Sequence, residues 1–229
     1  MNNTSAIDCN LHGSLPVLNV HALLKEGTRA LHGQLDHHPL VKPLLNIEAT
    51  PHEMALSLSG FLRAHSALDG AGIPQRWRLL NVGYQERFFC EWLRADIRIL
   101  CGNRKILTKM DGPAELLHLK SDAELFGSLY VVLGSAMGAV RIANILAQSH
   151  HFSVREVGFF KQLALSSSCF RVLMTQLQQR ISSPHEADEV LQGAIKTFNL
   201  FIKSFDSVFD ENSAIAAHSL LNAVIPTSK

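Results

Sequence analysis

An excess of charge of either sign is missing. Lys and Arg number 21 against 20 Asp and Glu, a formal net charge of +1 before the 12 His are counted. That balance gives no reason to expect nucleic acid or an anionic membrane surface as a partner. Cysteine is scarce and scattered. Cys9, Cys90, Cys101 and Cys169 form no C-x-x-C pair, so no disulfide framework is implied and a reducing cytoplasm is the simpler setting. Met1–Ser14 hold neither a basic cluster nor an apolar core, so they do not read as a signal peptide. The longest apolar run, Leu125 to Val140, contains Gly and Ser and stops at Arg141. It is short for a membrane span and reads as a buried helix. No internal repeat or low-complexity linker is present, and β-like alternation is confined to short runs.

What is there is helical periodicity on a globular composition. Apolar residues make up 47% and charged residues 18% of 229, which suits one domain with a sizeable core. Residues 1–18 read as a loose tail. A first helix is expected from Asn19, its N-cap, to His38, where Pro39 stops it, with an apolar stripe of Leu24, Thr28, Leu31 and Leu35. Thr50 caps a second helix, with Pro51 at its first position and Glu53 three on; it fails near Gly70-Ala71-Gly72. A third covers roughly Gly83 to Leu100, and a short turn of helix Ala114 to Leu119. The Ser121/Glu124 pair opens a long helix, Asp122 to Gln148. Two more are expected over Ser153–Ser182, broken near Ser166–Ser168, and Glu186–Phe209. The domain is expected over 19–210, with 211–229 partly ordered and Ala214–Val224 either a last helix or tail. Seven to eight helices with short connections make an all-α, single-domain helical bundle.

His32 lies one turn past Thr28 and three residues before Leu35, on or beside the apolar stripe. A neutral imidazole there can offer one nitrogen to a metal while the other donates a hydrogen bond, and heme iron takes a proximal His in this way. Taken alone, a core histidine bonded to a backbone carbonyl is the simpler reading. Lys25 projects from the same side two turns back and could pair with a ligand's carboxylates; alone, it is a solvated lysine. Gly134 and Gly138 share a face of the long helix. Each interior Gly costs about 1 kcal/mol relative to Ala, so a close helix backbone or a flat ligand should lie against them. A helix carrying the His and a helix with bare backbone can sandwich a planar macrocycle.

Several stretches then resemble one family, the bacterial, biliverdin-forming heme oxygenases. Leu24-Lys25-Glu26-Gly27-Thr28-Arg29-Ala30-Leu31-His32 is similar to the family's first helix, with a Thr four before the proximal His and a basic residue seven before. Gly127 to Ala139 is similar to the distal helix of the bacterial branch, Leu93 to Gly102 to the pattern Leu-x-x-Asp-Leu-x-x-Leu-Gly, and Thr197-Phe198 falls where the last helix carries an aromatic near the heme. The order holds over roughly residues 20–210. The resemblance implies a heme oxygenase fold and oxidative opening of heme to biliverdin, carbon monoxide and iron. Heme would be both substrate and cofactor, with electrons from a ferredoxin or an NADPH-dependent reductase and a phytochrome as a potential recipient of biliverdin. It also implies His32 as iron ligand and the Gly134, Ser135 and Gly138 backbone on the distal, catalytic side. Lys25, Thr28, Tyr130, Ala139, Arg141 and Phe198 would lie against the heme.

The chain departs from the pattern at Leu133, where the family has Glu, and at Met137, where it has Leu. Ser135 occupies the place of an Asp in the animal branch. Loss of a distal carboxylate motivates a second reading, a heme-binding sensor, carrier or regulatory partner without turnover. A di-iron carboxylate bundle needs two Glu-x-x-His pairs, and only Glu115-Leu116-Leu117-His118 is found. His37-His38 beside Pro39 lack further ligands at zinc spacing and read as solvated.

Overall fold

A computed structural model describes residues 18–85, 88–102, 116–149 and 158–224, with side chains as far as residue 217. Met1–Val17, Cys9 among them, lie outside the described residues, as do Ala114, Glu115 and Ser153. The chain runs α1 (Val20–Gly27), α2 (Arg29–Asp36), a 3₁₀ turn (Lys42–Leu45), α3 (Pro51–Gly70), α4 (Ile73–Arg78), α5 (Phe89–Cys101), α6 (Asp122–Leu146), α7 (Gly158–Ala164), α8 (Ser167–Arg180) and α9 (Pro184–Val224). No strand occurs among the described residues. α1 and α2 are one helix interrupted at Thr28, and hydrogen bonds run through the break: Thr28 N–H to Leu24 carbonyl at 3.0 Å and His32 N–H to Thr28 carbonyl at 2.9 Å.

Local signals set most boundaries. Asn19 caps α1 through its side chain. Thr50 and Glu53 form the reciprocal capping box at α3. Ser121 accepts the Glu124 N–H at the head of α6, while the Glu124 carboxylate accepts from Lys120 N–H. Several boundaries differ from expectation, and the first helix ends at Asp36 rather than His38. The third helix begins at Phe89 rather than Gly83, because Gly83 (φ +75°) and Phe88 (φ +49°) hold left-handed backbone that a helix cannot contain. Leu116–Leu119 form no helix. Past the break at Gly72 (φ +66°) the chain turns helical again as α4, with Pro74 in its first turn. The C-terminal stretch Ala214–Val224 is helix rather than tail, continuing α9 without a break through Val224.

α6 and α9 form the main axis, flanked by α3, α7 and α8, with α5 on the far side of α3. α6 is long and apolar enough, by length and composition alone, to cross a membrane; here it packs against α4, α7, α8 and α9. The α6–α9 crossing brings two backbones into contact. A Cβ on Gly127 would fall on the Val190 carbonyl, and a Cβ on Gly193 on the Glu124 carbonyl. Lys196, one turn beyond Gly193, pairs with Glu124 across the same crossing. Close helix packing in this fold thus uses Gly127 and Gly193, not Gly134 and Gly138.

Beside the crossing, Phe61 of α3 packs on Phe159, Phe160, Phe201 and Phe205 within 6.1 Å between ring centroids. His65, one turn on, is enclosed by Phe89, Phe159 and Phe201, and burial pushes its imidazole down to about 3. The unfolded chain binds a proton there near the ordinary value of 6.5 and the folded chain does not. Stability from neutral His65 is therefore fully present above pH 6.5 and is lost as pH falls toward 3, by about 1.4 kcal/mol per pH unit. Urea unfolding from neutral pH to about pH 5 should show this slope, and His65→Gln should flatten it by about one proton.

Candidate functional site: the first helix and the open face of α6

Thr28 stands where the first helix meets α6. It is buried, and its hydroxyl donates to the Leu24 carbonyl at 2.7 Å. Tyr130 of α6 approaches that hydroxyl. Burial raises the Tyr130 phenol above its ordinary value, against the opposing effect of Thr28, so it stays neutral. The Tyr130 ring lies 5.7 Å from Phe170 of α8.

One turn past Thr28, His32 sits at the surface rather than in the core. Its side chain is 64% exposed, which corrects the expectation of a buried histidine. The reason is the placement of α2, an edge helix with no fully buried residue, covered chiefly by α9. Its inward side is taken by the half-buried Leu31 and Leu35. The His32 ring meets the edge of Phe198 from α9 at 5.9 Å, and its Nδ1 is 2.9 Å from Asp36 Oδ2. With its proton on Nδ1, beside that carboxylate, the ring would carry its lone pair on Nε2.

On α6, Gly134 is one turn past Tyr130, and Gly138, one turn further, shares that side. A Cβ on Gly134 would reach only Phe170 at 3.7 Å, and one on Gly138 would meet nothing within 4 Å. This stretch presents bare backbone to open space, a surface a flat ligand can approach and a larger side chain would cover. Ser135 is exposed, and its hydroxyl donates to the Val132 carbonyl at 2.7 Å, so its proton is engaged within the helix. Met137 is exposed beside Gly138. Arg141 is exposed one turn beyond Gly138, and Lys25 is exposed on α1.

The fold therefore brings Thr28 to Tyr130 and His32 to Phe198, and keeps Gly134 and Gly138 open. It does not bring Ala139 to them: Ala139 is fully buried and points into the core, opposite Tyr130 on the helix. Leu133 is likewise fully enclosed. Its replacement of the family's Glu is a change in packed core, not the loss of a carboxylate from the open surface.

Residues 18–207 match the heme oxygenase family model. The chain belongs to the heme oxygenase family. Its members are heme-degrading enzymes, and the family match spans every residue of the site. The solved heme oxygenase-1 from the cyanobacterium Synechocystis sp., in complex with heme, shares the fold: the TM-score is 0.62 at 13% identity, covering 91% of this chain and 100% of that one. No curated protein sequence matches the chain.

Two contributors were not assigned from sequence. Asp36 follows His32 by four residues, a spacing that places a carboxylate beside an imidazole on one helix face. Phe170, the side wall behind Tyr130 and Gly134, left no sequence signal. The family-like Asp96 serves the fold rather than the site. It is buried on α5 and accepts the Gly158 N–H at 2.9 Å and the Phe159 N–H at 2.7 Å, capping α7. Burial raises its carboxyl, opposed by those two bonds.

Proposed function

We propose that the site binds heme with His32 Nε2 as the iron ligand, and that the chain opens the ring to biliverdin, carbon monoxide and iron. The observation that carries this reading is His32 exposed on the first helix, with Nδ1 2.9 Å from Asp36 and its ring against Phe198. The donor set fits: one neutral imidazole on one wall, and on the other bare backbone at Gly134 and Gly138 that a flat macrocycle can approach. Bound heme supplies the redox chemistry and is itself the substrate.

The chain's own residues bind and orient. Asp36 keeps His32 in the Nδ1–H tautomer. Phe198 supports the imidazole edge. Tyr130 and Thr28 close the inner end of the site. The backbone groups of Gly134, Ser135 and Gly138 leave room for ordered water near the reacting edge. Lys25 and Arg141, both exposed, are suited to pair with the two carboxylates of heme and thereby fix its rotation. Electrons would come from a ferredoxin or an NADPH-dependent reductase in the cytoplasm, and a phytochrome is a suitable acceptor of the product.

The non-catalytic alternative draws on Leu133, whose side chain lies in the core. The two readings separate when the ferric heme complex is given a reductant and dioxygen. Turnover is expected to replace the Soret band with biliverdin absorbance. A Soret band that persists would mean a carrier.

A further inference from the structure

α2 carries the proposed iron ligand, yet no side chain within it is fully buried. A Cβ on Gly33 would meet nothing within 4 Å, so even beside His32 the helix is open. Its position is held at its ends. At the start Thr28 is buried, its hydroxyl bonded to the Leu24 carbonyl, beside Tyr130 of α6. Just past the other end stands His38, which the sequence places in a solvated His pair. His37 is indeed exposed, but His38 is only 9% exposed.

Every polar atom of His38 is used at this junction. Its N–H bonds the Leu35 carbonyl at 3.1 Å, and its carbonyl accepts from Val41 and Lys42. Its Nδ1 accepts the Leu40 N–H at 3.1 Å, so the ring proton is on Nε2. Nε2 in turn lies 3.3 Å from Asp206 Oδ1 on α9. The ring packs against Phe205 at 5.5 Å and the edge of Phe209 at 6.1 Å. Phe198, which meets His32, and Phe205, which meets His38, are seven residues apart on α9. They therefore share a face, about 10 Å from one another. Two imidazoles from one short stretch of chain thus rest on two aromatic rungs of one helix. Only the second is buried, with Leu40 N–H bonded to one ring nitrogen and Asp206 beside the other.

We propose that His38 is a positioning residue: through Asp206, Leu40 and Phe205 it sets the register of α2 on α9, and so the direction of His32 Nε2. The inference rests on the reading of His32 as iron ligand. Truncating Asp206 removes the α9 end of this contact, and the Asp206 side chain is more than half exposed, so its loss opens no core cavity. His38→Leu removes both ring contacts while keeping apolar bulk.

The test compares the intact chain, Asp206→Ala, His38→Leu and His32→Ala. Amide hydrogen exchange is read without heme, and ferric heme titration gives affinity and the Soret and electron paramagnetic signatures. In Asp206→Ala and His38→Leu, amides of α2 should exchange about tenfold faster while those of α3 and α6 do not change. Heme affinity should fall about tenfold with an altered axial signature. Unchanged exchange in α2 would overturn the proposal. So would a loosened α2 with an unmoved heme signature, since His38 would then be structural only. If His38→Leu fails to fold, Asp206→Ala decides alone. His32→Ala reports separately on the ligand: an unchanged spectrum there would remove the iron ligand on which the proposal rests, whatever α2 does.

Discussion

Gly127→Ala is expected to cost about 3 kcal/mol or more of folding stability, although alanine is the better helix former by about 1 kcal/mol. The methyl would occupy the position of the Val190 carbonyl oxygen. A backbone atom cannot turn aside as a side chain does, so α6 and α9 must separate along the contact that organises the bundle. The Lys196–Glu124 pair and the packing of Gly193 on Glu124 loosen with it. Gly193→Ala should behave alike. The double variant should cost less than the sum of the two, because one separation relieves both overlaps. Urea unfolding of the three variants measures this, and a loss below about 1 kcal/mol for Gly127→Ala would mean the crossing is slacker than its geometry.

Gly138→Leu should give the opposite pattern: no loss of stability, and heme turnover lower by on the order of 100-fold. Gly138 is exposed, in mid-helix, with open space where a side chain would project. A non-glycine residue therefore gains helix propensity, up to about 1 kcal/mol, and displaces no neighbour. If heme lies against this backbone, leucine takes its room and that of the water beside it. Thermal unfolding together with the reductant-driven assay separates the two effects. Full turnover in Gly138→Leu would place the ligand elsewhere. The contrast with Gly127 is informative because the two glycines sit in one helix and differ only in what faces them.

That contrast also marks what the sequence can disclose. The caps at Asn19, Thr50 and Ser121 are local, each decided within four residues, and they are legible; the first helix stops at Asp36, two residues before the expected end at His38. Thr28, His32, Tyr130 and Phe198 can be named because short motifs carry them. Their mutual placement cannot be read, since it depends on how α1, α6 and α9 meet. Glycine spacing says that something approaches closely but not what: Gly134 and Gly138 face open space, while Gly127 and Gly193 meet helix backbone. The apolar stripe puts His32 near a buried face without revealing that α2 lies at an edge with one principal neighbour. Ala139 follows Gly138 by one residue, and that single step of about 100° turns it from the open face of α6 into the core. Asp96 and the N–H groups it caps are 62 and 63 residues apart, beyond any local pattern.

The assignment of His32 as iron ligand is tested most directly by titrating the intact chain and His32→Ala with ferric heme. The intact chain should give a sharp Soret band that is lost or strongly altered in His32→Ala. His32 is exposed and buries no core surface, so the variant should remain folded. An unchanged Soret band in His32→Ala would contradict the assignment.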